Sequence, residues 1–115
     1  MAASRNPRVR LLHIRDEIDE VTRAIQGASF DQYKASYLLR RTGERAVQII
    51  SEAAKSLPTD YLARDPEAPW NAIIGIGNIL RHEYQEVDDR TLWDVISVHL
   101  PLLRPIVIRM LTDLP

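Results

Sequence analysis

The residues able to do chemistry in this 115-residue chain gather in one short run, Gly75-Ile76-Gly77-Asn78-Ile79-Leu80-Arg81-His82-Glu83-Tyr84. Asn78 and His82 stand four apart, so on a helix they share a face. Arg81 adjoins His82 and is offset by about 100° around the axis. Tyr84 follows near the helix end. An imidazole with its ordinary pKa, about 6.5, suits proton transfer near neutral pH. Arginine brings a permanent charge and a planar donor fork that matches phosphate oxygens. Together they can cleave RNA without a metal. His82 would take the proton of a ribose 2′-hydroxyl or give one to the leaving oxygen. Arg81 would stabilise charge building on the phosphoryl oxygens, with Asn78 as a positioning donor. On these residues alone, a structural or solvated histidine is the plainer alternative. Tyr84 reads most simply as a ring packed on the helix end with its hydroxyl in water.

The run must ride on a helix that starts at Pro69 or Trp70, with proline in the tolerated first turn, and reaches about Glu86. Three other helices are expected. The first runs from about Pro7 to Gln26 with an apolar stripe at Leu11, Ile14, Ile18, Val21 and Ile25, closed by Gly27. The second runs from about Asp31 to Leu57, capped by Asp31 or Ser29 and stopped by Pro58. Its inner face is Tyr33, Tyr37, Val47, Ile50 and Ala54, with Ala46, Ile49 and Ala53 beside it. Gly43 marks a close helix crossing. Residues 58–69 form a turn-rich connection with one short helical turn at Asp60 to Ala63. The last helix begins between Asp88 and Thr91 and reaches Leu111. Its inner face is Leu92, Val95, Ile96, His99, Leu102, Leu103, Ile106 and Met110, and Pro101 and Pro105 kink or interrupt it. No segment alternates with period two. The expectation is a single all-α domain over residues 1–115, an antiparallel bundle of four to five helices.

Composition narrows the chemistry. Hydrophobic residues at 45% and charged residues at 27% are globular proportions, which argues against disorder. The absence of cysteine excludes disulfides, thiolate metal sites and cysteine nucleophiles. The N-terminal MAASRNPRVR holds no apolar run for a signal peptide, and no apolar stretch approaches the ~20 residues that span a bilayer. A cytoplasmic protein with no membrane partner is expected. Net charge is −1, so any nucleic-acid contact must be local. Basic residues group at Arg5, Arg8, Arg10 and Arg15, and again at Arg40, Arg41 and Arg45. The second group could line an RNA groove or meet an acidic partner, and a solvated face is the plainer alternative. His13 and His99 read as core or interface histidines. His82 and Glu86 have a metal-ligand spacing, but the Glu-x-x-His pair of di-metal bundles is absent because position 79 is Ile, so neither metal nor cofactor is expected. Gly75-x-Gly77 lies inside a helix and is no dinucleotide loop. Ser51, Ser56 and Ser97 show no paired base. Trp70 and Trp93 read as core anchors.

Several motifs in order resemble the HepT-like toxins of the HEPN superfamily. That family has a run of Arg, Asn, three variable residues, His, one variable residue and Tyr; here Asn78, His82 and Tyr84 occupy its positions. Glu44-Arg45-Ala46-Val47-Gln48-Ile49-Ile50-Ser51-Glu52-Ala53-Ala54-Lys55 looks like the family's second-helix signature. Pro69-Trp70 resembles its helix entry, and Val87-Asp88, Trp93 and Leu100-Pro101 resemble its ending. The likeness spans about residues 8–111. It implies a homodimer whose His motifs face each other across one groove, and an endoribonuclease toxin acting on RNA. It also implies a minimal nucleotidyltransferase antitoxin that transfers AMP to Tyr84, adding negative phosphate and bulk beside the cleft. One departure stands out: Gly77 sits where the family has Arg. Arg81, one turn on, could serve the same region. Alternatively the site is degraded and the chain is a non-cutting partner of the nucleotidyltransferase, or a dimeric bundle with neither activity. Gly77 could also let two helices approach across a dimer.

Overall fold

Asn6 starts the first helix by accepting the Arg8 backbone N–H on its side-chain oxygen at 2.9 Å, with Pro7 in the first helical position. This is a computed structural model, and it describes residues 6–83 and 87–114. Arg5, Tyr84 and Glu86 therefore lie outside the described residues. Helix α1 (Pro7–Ile25) buries its whole expected stripe, Leu11, Ile14, Ile18, Val21 and Ile25. Gly27 then turns the chain at φ +80°, a conformation that costs glycine little.

The expected second helix is two. Ser29 opens α2 (Phe30–Ala35) with a reciprocal capping box: its hydroxyl accepts the Gln32 N–H at 3.1 Å, and the Gln32 side chain accepts the Ser29 N–H at 2.8 Å. Ser36 then leaves the helical region, at φ −104° and ψ 114°, and its hydroxyl accepts the Leu39 N–H at 3.1 Å to start α3 (Tyr37–Lys55). The break changes the phase between the two tyrosines. Tyr33 is buried as expected, but Tyr37 is 62% exposed and does not belong to the inner face. Val47, Ile50 and Ala54 are buried with Ala46 and Ala53, and Ile49 is half-buried.

The short turn in the connection is α4 (Thr59–Ala63), which buries Tyr61. Helix α5 (Trp70–Glu83) carries the chemistry-bearing run and buries Trp70, Ile73, Gly77 and Leu80. Asp88 caps the last helix, α6 (Asp89–Asp113), by accepting the Thr91 N–H at 2.7 Å. The prolines do not interrupt α6. One wide π turn, Val95–His99, stands just before Pro101, and the α-helix resumes at Leu100 with Pro105 inside it. Such a turn holds an extra residue and gives the helix room to accommodate a proline ring. It also shifts the buried face. Leu100 and Val107 are buried, whereas His99 is exposed and Leu102 is 64% exposed, correcting the expected inner face. His13 is exposed as well, so neither histidine is a core residue of the protomer.

By length and apolar composition alone α6 could cross a membrane, contrary to the expectation that no stretch approaches that size. In the fold its apolar face packs on α1, and Arg104 pairs with Asp19 of that helix. Helix α3 lies between α1 and α5 and packs on both. Among the described residues there is no strand, and the molecule is an all-α bundle.

Candidate active site

The site is built on the seam between α3 and α5. The two run antiparallel, since Ser51 meets Ile74 and Gly77 while Gln48, Glu44 and Tyr37 share a shallow cleft with Leu80. Ser51 is buried, and its hydroxyl donates to the Ile74 carbonyl at 3.2 Å. A Cβ added at position 77 would lie 2.1 Å from the Ser51 Cβ and 2.2 Å from its Oγ. No side chain fits there at this helix spacing. Gly77 is thus a close-approach glycine, but the approach is between two helices of one protomer. Gly75 has open space where a Cβ would stand.

Beside the Gly77–Ser51 contact the seam opens into a polar network. The Lys55 ammonium donates to Asn78 Oδ1 at 2.9 Å and lies 3.2 Å from Glu52 Oε2. Arg81 Nη1 donates to the same Glu52 oxygen at 2.7 Å. Asn78 and Arg81 are therefore brought together, through two α3 side chains to which sequence reasoning assigned no role. The Glu52-x-x-Lys55 spacing, an ion pair across one helical turn, was the available signal. His82, in the last turn of α5, is exposed, and its ring makes no hydrogen bond among the described residues. It stands one helical turn from Asn78 on the same face of α5, exposed to solvent.

Of the three arginines of α3, Arg41 and Arg45 share a groove and Arg40 turns away from it. Arg40 donates to the Lys34 carbonyl at 2.6 Å, back toward α2. Arg45 lines a groove between α1 and α3 with Glu17, Glu20, Ile49 and Arg41. There burial pushes the Glu17 carboxyl up, and the Arg45 charge opposes the shift. Arg41 pairs with Glu44 and stands 4.9 Å from the centre of the Tyr37 ring, in the cleft that reaches Leu80. Only Arg41 of the three comes near the end of α5. Trp70 is buried, and Trp93 is half-buried with its ring centre 5.2 Å from that of Tyr33. Among the described residues, no group of three or more His, Asp or Glu side chains is placed to hold a metal ion.

Residues 14–110 match the family model described as Ribonuclease HepT-like. A protein of Caldanaerobacter subterraneus subsp. tengcongensis, named as an RNase, is 33% identical over 99 residues, which cover 86% of this chain and 88% of that one. Another so named, from Methanocaldococcus jannaschii, is 24% identical over 102 residues, covering 89% of this chain and 94% of that one. A Thermococcus cleftensis protein named as a ribonuclease HepT is 33% identical over 87 residues, 76% of each chain. No solved structure matches the chain.

Proposed function

The chain belongs to the ribonuclease HepT-like family, and on that premise we propose that it is a metal-independent endoribonuclease, the toxin of a pair whose antitoxin is a minimal nucleotidyltransferase. The observation that carries the reading is the end of α5, where Asn78 and Arg81 are held at the α3–α5 seam beside an exposed His82 that makes no hydrogen bond among the described residues. His82 takes the 2′-hydroxyl proton as that oxygen attacks phosphorus. In a homodimer with the two motifs facing, the second copy's imidazole protonates the departing 5′-oxygen, so one acid and one base serve one phosphate. Arg81 stabilises the phosphoryl oxygens as charge builds. This local cluster supplies the phosphate attraction that a net charge of −1 does not. Transfer of AMP to Tyr84 places new negative charge two residues from His82 and repels the RNA backbone.

His82→Ala tests the reading. Because His82 is exposed, the variant keeps its fold, and RNA cleavage without added metal falls by roughly 10²–10⁴-fold together with growth inhibition. A folded His82→Ala protein of undiminished activity would remove His82 from the chemistry. Intact mass after co-expression with the nucleotidyltransferase reads AMP addition, which Tyr84→Phe abolishes. A second reading, a non-cutting partner of the nucleotidyltransferase, draws support from Gly77 and from the engagement of Arg81 by Glu52. Its sign is wild-type protein that binds the partner and leaves RNA intact.

A further inference from the structure

We infer that Lys55 and Arg81 form a two-cation seat for a backbone phosphate, and that the Glu52 carboxylate fills this seat while RNA is absent. The inference rests on the ribonuclease reading and concerns how that site takes its substrate. Position 77 is sealed by Ser51 and can supply no cation. Two cations reach this end of the seam, Lys55 of α3, bonded to Asn78, and Arg81 of α5, next to His82 in sequence. One oxygen, Glu52 Oε2, lies 2.7 Å from the Arg81 guanidinium and 3.2 Å from the Lys55 ammonium. An anionic oxygen held between a guanidinium and an ammonium is the arrangement a phosphate oxygen takes up.

The parts can exchange. The Glu52 side chain is 47% exposed, so it can swing into water by side-chain rotation, at the small cost of breaking solvated ion pairs. Lys55 stays behind, because Asn78 Oδ1 holds its ammonium at 2.9 Å without cancelling its charge. Asn78 is then a positioning residue for Lys55. A phosphodiester carries one negative charge, as Glu52 does, so the exchange leaves the charge held between the two cations unchanged.

The test uses the full chain and a short single-stranded RNA with 2′-O-methyl riboses, which cannot be cut by 2′-hydroxyl attack. Affinity is measured by fluorescence anisotropy over a salt series, with circular dichroism to show that each variant folds. Lys55→Ala should weaken binding roughly tenfold and make the salt slope shallower by about 0.7, the value for one phosphate contact on a single strand. Lys55→Arg should retain both. Glu52→Gln should tighten binding by roughly threefold or more, since it removes the competing anion. Unchanged binding in Lys55→Ala, or Glu52→Gln binding as weakly as Lys55→Ala, overturns the seat. Cleavage of unmodified RNA is followed in parallel. Wild type that binds as expected but does not cut sinks the ribonuclease reading and leaves the seat. Wild type that cuts while both substitutions leave binding unchanged sinks the seat and leaves the ribonuclease.

Discussion

The α3–α5 seam and the crossing of α3 with Tyr33 and Ile96 are each arranged around a glycine, and they differ in what the glycine faces. At Gly43 an added Cβ would meet the Tyr33 hydroxyl at 2.9 Å and Ile96 Cδ1 at 3.1 Å, the outer ends of two side chains. At Gly77 it would meet the Ser51 Cβ at 2.1 Å, an atom fixed to the α3 backbone. The first crossing is a core contact. The Tyr33 hydroxyl is buried with no hydrogen-bond partner among the described residues, and burial pushes the phenol well above its usual range. The second sets the distance between two helices, and beside it their surfaces carry the Glu52, Lys55, Asn78 and Arg81 network. A small residue can thus serve packing or help to position a site, and the atom it faces tells the two apart.

The largest expected effect that would break this contrast is at Gly77. Gly77→Ala should destabilise the protein by ~1–3 kcal/mol, with the unfolding midpoint falling by roughly 5–15 °C, even though alanine is the better helix former. Ser51→Gly in the same chain removes the opposing Cβ and should recover most of the loss. Thermal melts of the two single variants and the double variant read the coupling directly. Additive single effects would mean that Ser51 does not set the spacing. The same logic applies to Gly77→Arg, which restores the residue of the family pattern and should be tolerated only beside Ser51→Gly.

Gly43→Ala should do much less. The neighbouring side-chain ends can give by a few tenths of an ångström, and the alanine gains roughly 1 kcal/mol of helix propensity, so the net change stays below about 1 kcal/mol. Denaturant melts that place Gly43→Ala level with Gly77→Ala would erase the distinction between the two crossings.

The smallest effect sharpens a related comparison between two arginine–carboxylate bridges. Arg104 donates to both oxygens of Asp19, at 2.6 and 3.2 Å, and joins α6 to α1. Its hydrogen bonds hold the Asp19 carboxyl below the usual aspartate range. The folded protein therefore binds that proton less readily than the unfolded chain does. The associated stability is fully present above the ordinary value of about 3.9 and is lost as pH falls through the lower folded value. Both partners are more than a third exposed, so Asp19→Asn should cost under about 1 kcal/mol near neutral pH, with the difference vanishing in acid. RNA affinity should not change. Glu52→Gln should do the reverse, with little effect on stability and a clear one on affinity.

Much of the bundle was legible from residue order. The α1 stripe at Leu11, Ile14, Ile18, Val21 and Ile25 repeats at three and four and is buried throughout, because one helix with one apolar face leaves no choice of phase. The break at Ser36 was not legible. A serine is tolerated inside a helix, and it becomes a cap only where the backbone turns extended and the hydroxyl meets a free N–H. That single event put Tyr37 outside. The π turn at Val95–His99 acted similarly on α6, exchanging His99 and Leu102 for Leu100 and Val107. Prolines at 101 and 105 announce a disturbance without saying whether the helix will bend, stop or widen.

The candidate site divides in the same way. Helical spacing determined that Asn78 and His82 share a face and that Arg81 lies beside it, since those relations depend only on residues a few places apart. Tertiary structure decided what faces Gly77 and which side chains from α3, 23 to 29 residues away, hold Asn78 and Arg81. Local periodicity fixes direction around one axis. Contact between two axes depends on their separation, which here is set by the packing of Ser51 on Gly77 and is written in neither residue alone.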